Sequence, residues 1–196
     1  MKVVGLLLTV CLLLTPILVS ANTNVALNAP VTTSGSFLSG PQTYVCDGTP
    51  AAPSSVDNGV FYTEGTCWND GVAWTGFTNT IDISFGGTYT IDSAIVQADD
   101  NDTYLLQYLG TDNLYHNWWQ VPYDYSFGLV TRPNADQVTP QGLSTVVATG
   151  VRILATDGDG YNSVGQIEVF TAPEPASLLL LAAALPALGA FRRLRK

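Results

Sequence analysis

The chain offers few of the residues that catalysis requires. His116 is the only histidine among the 196 residues, so a catalytic triad would need it beside a nucleophile and a carboxylate. The sequence contains no Gly-x-Ser-x-Gly elbow and no second histidine for an HExxH metal pair. Among so many acidic residues, some pair will lie at glycosidase spacing by chance, so spacing alone does not indicate a hydrolase. We predict a non-catalytic protein, with a glycoside hydrolase as an alternative.

Two adjacent tryptophans, Trp118 and Trp119, are the leading candidates for ligand binding. Neighbouring side chains on a strand point to opposite faces, so we expect one ring in the core and the other in solvent. Sugars stack their apolar faces on exposed aromatic rings, while their hydroxyls need polar partners. The candidate polar partners are His116, Asn117, Arg132 and Asn134. The alternative, that both rings fill the interior and its rim, would indicate a purely structural surface protein.

Acidic residues form two short clusters, Asp99-Asp100-Asn101-Asp102 and Asp157-Gly158-Asp159. Oxygen ligands at alternate positions of a loop suit Ca²⁺, which takes six to eight of them. Neither cluster has the twelve-residue spacing and terminal glutamate of an EF-hand. Solvated acidic turns are the alternative interpretation.

The charge of the central region excludes some partners. Residues 22–172 hold 15 acidic residues against Arg132 and Arg152, a net charge of −13. Nucleic-acid binding depends on clustered lysine and arginine, so a nucleic-acid partner is excluded, and an anionic membrane surface is disfavoured for the same reason. Cations and neutral ligands rich in hydroxyl groups remain.

Alternating short segments separated by turn residues predict an all-β domain. In the segment Thr80 to Phe85, for example, Ile81, Ile83 and Phe85 are expected inside, with Asp82 and Ser84 outside. Turns are predicted at Gly86-Gly87, Asp112-Asn113, Thr149-Gly150 and Asp157 to Gly160. The other predicted strands are Asn24–Leu27, Ser93–Ala98, Tyr104–Leu109, Trp118–Val121, Thr145–Ala148, Val151–Ala155 and Gln166–Phe170. About eight short strands in some 150 residues favour a two-sheet sandwich or jelly roll.

The first 21 residues form a predicted signal peptide. Lys2 precedes an apolar run, and Val19-Ser20-Ala21 supplies the small residues that signal peptidase requires, with cleavage before Asn22. Export places Cys46 and Cys67, the two cysteines of the remaining chain, in an oxidising compartment. A disulfide between them is therefore predicted, and closing a loop of this size would contribute about 3 kcal/mol.

The last 24 residues combine Pro173-Glu174-Pro175, an apolar run at Leu178 to Phe191 and a basic tail. The run would span about 21 Å as a helix, short of the roughly 30 Å hydrocarbon core, so it suits a transient membrane stop. This three-part order resembles the PEP-CTERM sorting signal of Gram-negative bacteria. The resemblance implies processing by an exosortase near the motif, and an ordinary C-terminal anchor is the alternative.

The middle of the chain resembles the coagulation factor V/VIII type C, or discoidin, family. The matching pieces, in the family's order, are Asn24 to Val31, Asp47-Gly48, Trp68, Ile81 to Gly86 and Val164 to Phe170. The resemblance implies an eight-stranded antiparallel jelly roll whose members are binding modules, the bacterial ones often for galactose-like sugars. It also implies a structural Ca²⁺ held near Asp47 and Glu168, although a long insertion follows Asp47 here.

These observations give a three-part chain: a signal peptide (1–21), a discoidin-like β-sandwich (22–172) and a PEP-CTERM tail with a short transmembrane helix (173–196). The predicted function is an exported, non-catalytic envelope or matrix protein that binds carbohydrate, with exopolysaccharide as the expected ligand. Its other partners would be signal peptidase and exosortase during export. The predicted route is transient residence in the inner membrane of a Gram-negative bacterium, then the cell surface or extracellular matrix.

Overall fold

Antiparallel strands account for nearly all of the regular structure in the computed structural model, which describes residues 22–39 and 49–173. Within these residues the strands are β1 (Val31–Ser34), β2 (Val72–Thr75), β3 (Thr80–Asp99), β4 (Thr103–Gly110), β5 (Tyr115–Val121), β6 (Leu129–Arg132), β7 (Gln141–Asp157) and β8 (Tyr161–Thr171). Two short 3₁₀ turns, Pro53–Ser55 and Trp68–Asp70, complete the regular structure of the described residues. No helix within it is long and apolar enough to cross a membrane. Residues Asn22–Ala172 form one compact unit.

The two longest strands, β3 and β7, take part in both layers of the sandwich. The first part of β3 lies between β1 and the second part of β7, which continues the layer to β4 and β5. The second part of β3 pairs with β8 on one side, and with β6 and the first part of β7 on the other; β2 follows β8. Long strands that change layer are how this chain closes a jelly roll.

The predicted turns at Gly86-Gly87 and Thr149-Gly150 are wrong, because the chain continues through both as strand. The pairing of β3 with β7 shifts register between Ser84 and Tyr89, which bends the strand without ending it. Gly86 has a φ of 69°, a conformation that a side chain would disfavour, so glycine marks a bend here. Four of the predicted strands are therefore two, each passing from one layer to the other.

The core confirms the predicted inward face of the first part of β3. Ile81, Ile83 and Phe85 are at most 7% exposed, whereas Ser84 is exposed. Trp74 on β2 is completely buried, and its ring contacts Tyr104 edge-on with 6.2 Å between ring centroids. The predicted strand Asn24–Leu27 is wrong, since only an isolated bridge joins Asn24 to Phe170.

Candidate functional site

Three chain connections lie at the same end of the sandwich. The register pairs the end of β3 with the start of β6, and the ends of β5 and β7 with the start of β4. The connections that leave these ends are residues 100–102, 122–128 and 158–160. We call this region the loop end; it brings together side chains that are more than fifty residues apart in sequence.

A surface pocket of about 300 Å³ opens between these connections. Its lining consists of polar, aromatic and acidic residues: Asp100, Asn101, Thr103, Tyr123, Asp124, Tyr125, Asp157 and Gly158. Carboxylates and the Asn101 amide supply hydrogen-bond acceptors and donors, and the tyrosines supply aromatic surface. An open site of this composition can stack on the face of a sugar ring and accept hydrogen bonds from its hydroxyls.

Tyr123 and Tyr125 form the aromatic part of the pocket. Their rings meet edge to face with centroids 4.8 Å apart and an interplanar angle of 88°. The hydroxyl oxygens lie 2.7 Å from each other, so one hydroxyl donates to the other. Tyr125 is 90% exposed and Tyr123 46% exposed. Large aromatic surface held in a fixed orientation yet left in water is the feature that most clearly marks this region as a binding site.

Hydrogen bonds between the loops hold the pocket in shape. The Asp124 amide donates to the Asp100 carbonyl at 2.7 Å, and the Gly128 amide donates to Asp100 Oδ1 at 2.9 Å. On the other side, Asn101 Nδ2 donates to Asp159 Oδ2 at 3.1 Å. Each pocket loop is thereby bonded to another, so little ordering remains to be done when a ligand binds.

Arg132 supports the pocket from below. Its guanidinium donates to four backbone carbonyls: Ala98 at 2.6 Å, Asp99 at 2.6 Å, Val130 at 2.7 Å and Pro122 at 2.9 Å. The residue is 3% exposed, and burial lowers the pKa of its side chain. Sequence reasoning proposed Arg132 as a direct sugar contact. In the structure it acts as a positioning residue, because these bonds fix the points where two pocket loops begin.

Two aspartates are buried directly behind the pocket lining. Asp99 is 3% exposed, and burial together with the charges of Asp102 and Asp100 raises its pKa to about 8. Asp102 is completely buried, and burial together with the charge of Asp159 raises its pKa to about 7. The Tyr104 hydroxyl donates to Asp102 Oδ2 at 3.2 Å, whereas Oδ1 has no hydrogen-bond partner. A Cβ added to Gly158 would overlap this Oδ1, so the oxygen lies against the pocket wall.

The two tryptophans of β5 that were predicted to bind sugar, Trp118 and Trp119, are less exposed than the tyrosines of the pocket. Trp119 pairs with Leu106 and Asn117 with Gln107, which leaves Trp118 as the extra residue of a β-bulge. The bulge breaks the strict alternation of side chains. Both tryptophans are consequently half-buried and pack against the core, and the prediction of one ring inside and one outside is wrong. Trp118 Nε1 donates to the Ser144 carbonyl at 2.8 Å.

The predicted polar partners do not form one cluster. His116 Nε2 lies 2.9 Å from Asp112 Oδ2, and its ring stacks on Tyr108 with centroids 5.0 Å apart. Asn117 accepts a hydrogen bond from Gln107 at 2.9 Å. Arg132 donates a hydrogen bond to the Pro122 carbonyl. Pro122 follows His116 by six residues, which is about 20 Å of extended chain, so Arg132 and His116 lie far apart. Asn134 is exposed in the loop after β6.

Sequence reasoning missed the tyrosines of the pocket. The signal was the string Tyr123-Asp124-Tyr125, which combines two aromatic rings with an acid in a segment without alternation. The acidic clusters were singled out, but as candidates for Ca²⁺. Their members Asp100 and Asp157 line a common pocket.

The predicted structural cation site is only partly within the described residues. Asp47 lies outside them. The neighbouring Cys46 also lies outside them, so the structure shows that Cys67 is disulfide-bonded, but its pairing with Cys46 stays a prediction. Glu168 is half-buried, and burial raises its pKa. In residues 22–39 and 49–173, no three acidic, histidine or cysteine side chains are grouped so that they could hold a metal ion.

An unpredicted acid, Asp57, lies on the segment that is hydrogen-bonded to the residue before Glu168. The Ile167 amide donates to the Val56 carbonyl at 2.6 Å, so the two acidic residues follow directly on neighbouring chain segments. Asp57 is 2% exposed, burial raises its pKa, and its Oδ2 has no hydrogen-bond partner. A buried carboxylate oxygen without a partner suits a hard cation such as Ca²⁺.

Comparison with known proteins identifies the fold. No family model matches the chain, and no curated protein sequence matches it. A mutant of the lectin binding domain of Lectinolysin, complexed with Lewis b, superimposes with a TM-score of 0.54 at 11% identity, covering 79% of this chain and 99% of that one. A Streptococcus pneumoniae fucose binding module gives a TM-score of 0.51 at 11% identity, with 78% and 98% covered. The predicted fold, an all-β discoidin-like antiparallel jelly roll, is confirmed.

Proposed function

We propose that this chain is an exported, non-catalytic carbohydrate-binding protein whose ligand occupies the pocket at the loop end. The observation that carries the proposal is the pair Tyr123 and Tyr125, exposed on a pocket whose other walls are polar. The fold supports it, because the two superimposed structures are a fucose binding module and a domain complexed with Lewis b. Exopolysaccharide of the producing cell is the ligand that we propose.

The non-catalytic part of the proposal rests on where the unusual acids lie. A glycoside hydrolase needs a carboxylic acid with a raised pKa facing the substrate. Asp99 and Asp102 have raised pKa values, but they are buried behind the residues that line the pocket. We therefore expect no hydrolysis of any oligosaccharide that binds, checked by chromatography of the incubated sugar; release of shorter products that Asp100→Asn abolishes would favour the hydrolase.

Glycan binding tests the proposal directly. The full-length chain in non-ionic detergent is applied to a glycan array and to polysaccharide from its host, with calcium present, and the tightest ligand is measured by calorimetry. Removing the ring in Tyr125→Ala should weaken binding about tenfold or more, the equivalent of 1.4 kcal/mol. Tyr89→Ala is the matched control, because Tyr89 is 38% exposed and does not line the pocket. Absence of binding to every glycan, or equal affinities of Tyr125→Ala and wild type, would refute the proposal.

We also propose a structural Ca²⁺ held by Asp57 and Glu168, with Asp47 as a further ligand. Ca²⁺ would neutralise two carboxylates that burial otherwise disfavours, so it should stabilise the folded chain. The expected result is a rise in melting temperature when calcium is added to chelator-treated protein, and a smaller rise in Asp57→Asn. An unchanged melting temperature in wild type would rule this cation out.

The export route is the last part of the proposal. The segments that carry it, residues 1–21 and 174–196, lie outside the described residues. Signal peptidase would cleave before Asn22, the tail would hold the chain transiently in the inner membrane, and an exosortase would process it near Pro173-Glu174-Pro175. Mass spectrometry of the protein recovered from the host's surface should give a species that starts at Asn22 and ends near residue 173. A species that retains Lys196 would contradict processing.

A further inference from the structure

The pocket at the loop end is strongly acidic. Asp100, Asp124 and Asp157 line it, and Asp159 lies beside the lining, where it accepts a hydrogen bond from Asn101. Asp99 and Asp102 lie behind the lining, but their raised pKa values keep them mainly protonated at pH 6.5, so they contribute little to this charge. Carboxylates within one pocket add their potentials, and walls of low dielectric strengthen the resulting field. The pocket therefore presents a concentrated negative potential to any ligand that enters it.

The two arginines of residues 22–172 offset only part of this charge, because Arg132 alone interacts electrostatically with the pocket acids Asp100 and Asp124. Arg132 is buried and directs its donors to four backbone carbonyls beneath the pocket. Arg152 is paired with Asp82 through bonds of 2.5 and 3.2 Å, and it lies 3.8 Å over the Tyr115 ring. The single histidine, His116, is bonded to Asp112 at the far end of β5. The acids of the pocket outnumber this one buried positive charge, so a cationic ligand would still be attracted.

One oxygen in this region lacks a partner. Asp102 is completely buried, and its Oδ1 has no hydrogen bond, although it lies against the pocket-lining Gly158. Burial raises the pKa of Asp102 to about 7, and a positive charge nearby favours the ionised form, so a bound cation and the ionised carboxylate would stabilise each other. The position of this unpartnered oxygen against Gly158 thus favours a cationic ligand, whatever the number of acids around it.

The tyrosines define the kind of cation. A metal ion bound by side chains would need several converging carboxylates, and no three acidic, histidine or cysteine side chains of the described residues are grouped in that way. An organic cation can place its charged group near the carboxylates while its apolar face rests on an aromatic ring. Tyr125, which is 90% exposed, offers such a ring at the pocket's edge.

We propose, on the basis of the carbohydrate-binding function above, that the pocket selects amino sugars with free, protonated amino groups over neutral, N-acetylated and acidic sugars. The ammonium group would lie among Asp100, Asp124 and Asp157, with the sugar ring against Tyr125. A uronic acid would bring a second negative charge into the same field and be repelled. An N-acetyl group has no charge, so it would lose the electrostatic part of the attraction.

The experiment compares trisaccharides of one linkage and length. Calorimetry on the full-length chain in non-ionic detergent, at pH 6.5 and low salt, uses β-1,4-linked trimers of glucosamine, N-acetylglucosamine, glucose and a uronic acid. We expect the glucosamine trimer to bind about tenfold or more tightly than the other three, because two or more unit charges lie within several ångströms of its ammonium. Its advantage should fall in 0.5 M salt and in Asp124→Asn. Asp136→Asn, which removes an exposed acid outside the pocket, is the matched control and should keep the advantage.

The outcomes separate this inference from the function on which it rests. If a neutral or acidic trimer binds as tightly as the glucosamine trimer, and Tyr125→Ala abolishes its binding, the amino-sugar inference is wrong while carbohydrate binding stands. If the glucosamine trimer binds equally well to Tyr125→Ala, the acidic surface as a whole attracts it and the inference is also wrong. If neither the trimers nor the array glycans bind, both proposals fail.

Discussion

The loop end and strand β5 contrast two ways of placing aromatic residues beside polar ones. On β5, Trp118 and Trp119 are adjacent in sequence, but the bulge turns both against the core. At the loop end, the residues that line one pocket come from three connections, and Tyr125 remains 90% exposed. An exposed site in this chain is therefore made by strand register, which brings distant loops together, rather than by neighbouring residues on one strand.

Arg132 and Arg152 allow the sharpest test of this contrast. Arg132→Met should lower the free energy of unfolding by about 3 kcal/mol or more, because several buried carbonyls would lose their donor. Arg152→Met breaks a partly exposed ion pair with Asp82 and should cost about 1 kcal/mol. Urea denaturation of both variants gives the comparison. Equal losses would mean that Arg132 does not organise the loop end.

Two glycines in the turn between β7 and β8 give the next largest effect. Gly158 has a φ of 136°, and a Cβ there would overlap Asp102 Oδ1. Gly160 has a φ of 84°, but a Cβ would meet nothing within 4 Å. We expect Gly158→Ala to cost about 3 kcal/mol and to weaken sugar binding, and Gly160→Ala to cost about 1 kcal/mol. Thermal denaturation checks the order, and a costlier Gly160→Ala would contradict the placement of Asp102.

The acids of the two regions should respond to pH in opposite directions. Asp99 and Asp102 keep their protons to about pH 8 and 7 in the folded chain, well above the usual value near 3.8. Folding therefore takes up protons, and the free energy of unfolding should fall as pH rises from 5 to 8.5, by at least about 1 kcal/mol. Asp99→Asn should remove much of that fall.

Asp112, beside His116, provides the opposite case. Hydrogen bonds from the Leu114 amide and His116 lower the pKa of Asp112 below its usual value of 3.8. The ionised carboxylate therefore stabilises the folded chain at neutral pH, and this contribution is lost when the pH falls through the lowered pKa. Asp112→Asn should leave the decline between pH 5 and 8.5 unchanged. Urea denaturation at the two pH values measures both effects, and a stability that rises over this interval would contradict the burial of Asp99 and Asp102.

Trp118 gives the smallest expected effect. Trp118→Phe removes the Nε1 donor to the Ser144 carbonyl but keeps an aromatic ring against the core, so about 1 kcal/mol of stability should be lost. Sugar affinity should not change, because the ring does not line the pocket. Calorimetry and thermal denaturation of this variant test both statements. A large loss of affinity would indicate that the ligand binds at β5.

The local sequence pattern was sufficient to predict the fold class and part of the buried core. The alternation at Ile81, Ile83 and Phe85 predicted their burial because a two-residue period needs no knowledge of the partner strand. The short strands β1, β2 and β6 have only four residues each, too few for a period to be visible. Bends within β3 and β7 were taken for turns, because glycine marks both.

The pocket depended on information that no local pattern holds. Asp100, Tyr125 and Asp157 meet only once the antiparallel register of β3, β5 and β7 is known. Arg132 illustrates the same limit, since its residue type suited both a sugar contact and a buried donor to backbone carbonyls. Its burial decided between them, and burial followed from the pairing of β6 with β3.

An NMR titration tests the central claim, that the loop end and not β5 is the binding surface. The full-length chain, labelled with ¹⁵N and kept in non-ionic detergent, is titrated with the glycan that binds most tightly on the array. We predict the largest backbone amide shifts at Asn101, Asp124 and Gly158, with the indole signals of Trp118 and Trp119 almost unmoved. Large shifts at Asn117, Trp118 and Trp119, with an unperturbed loop end, would contradict the account.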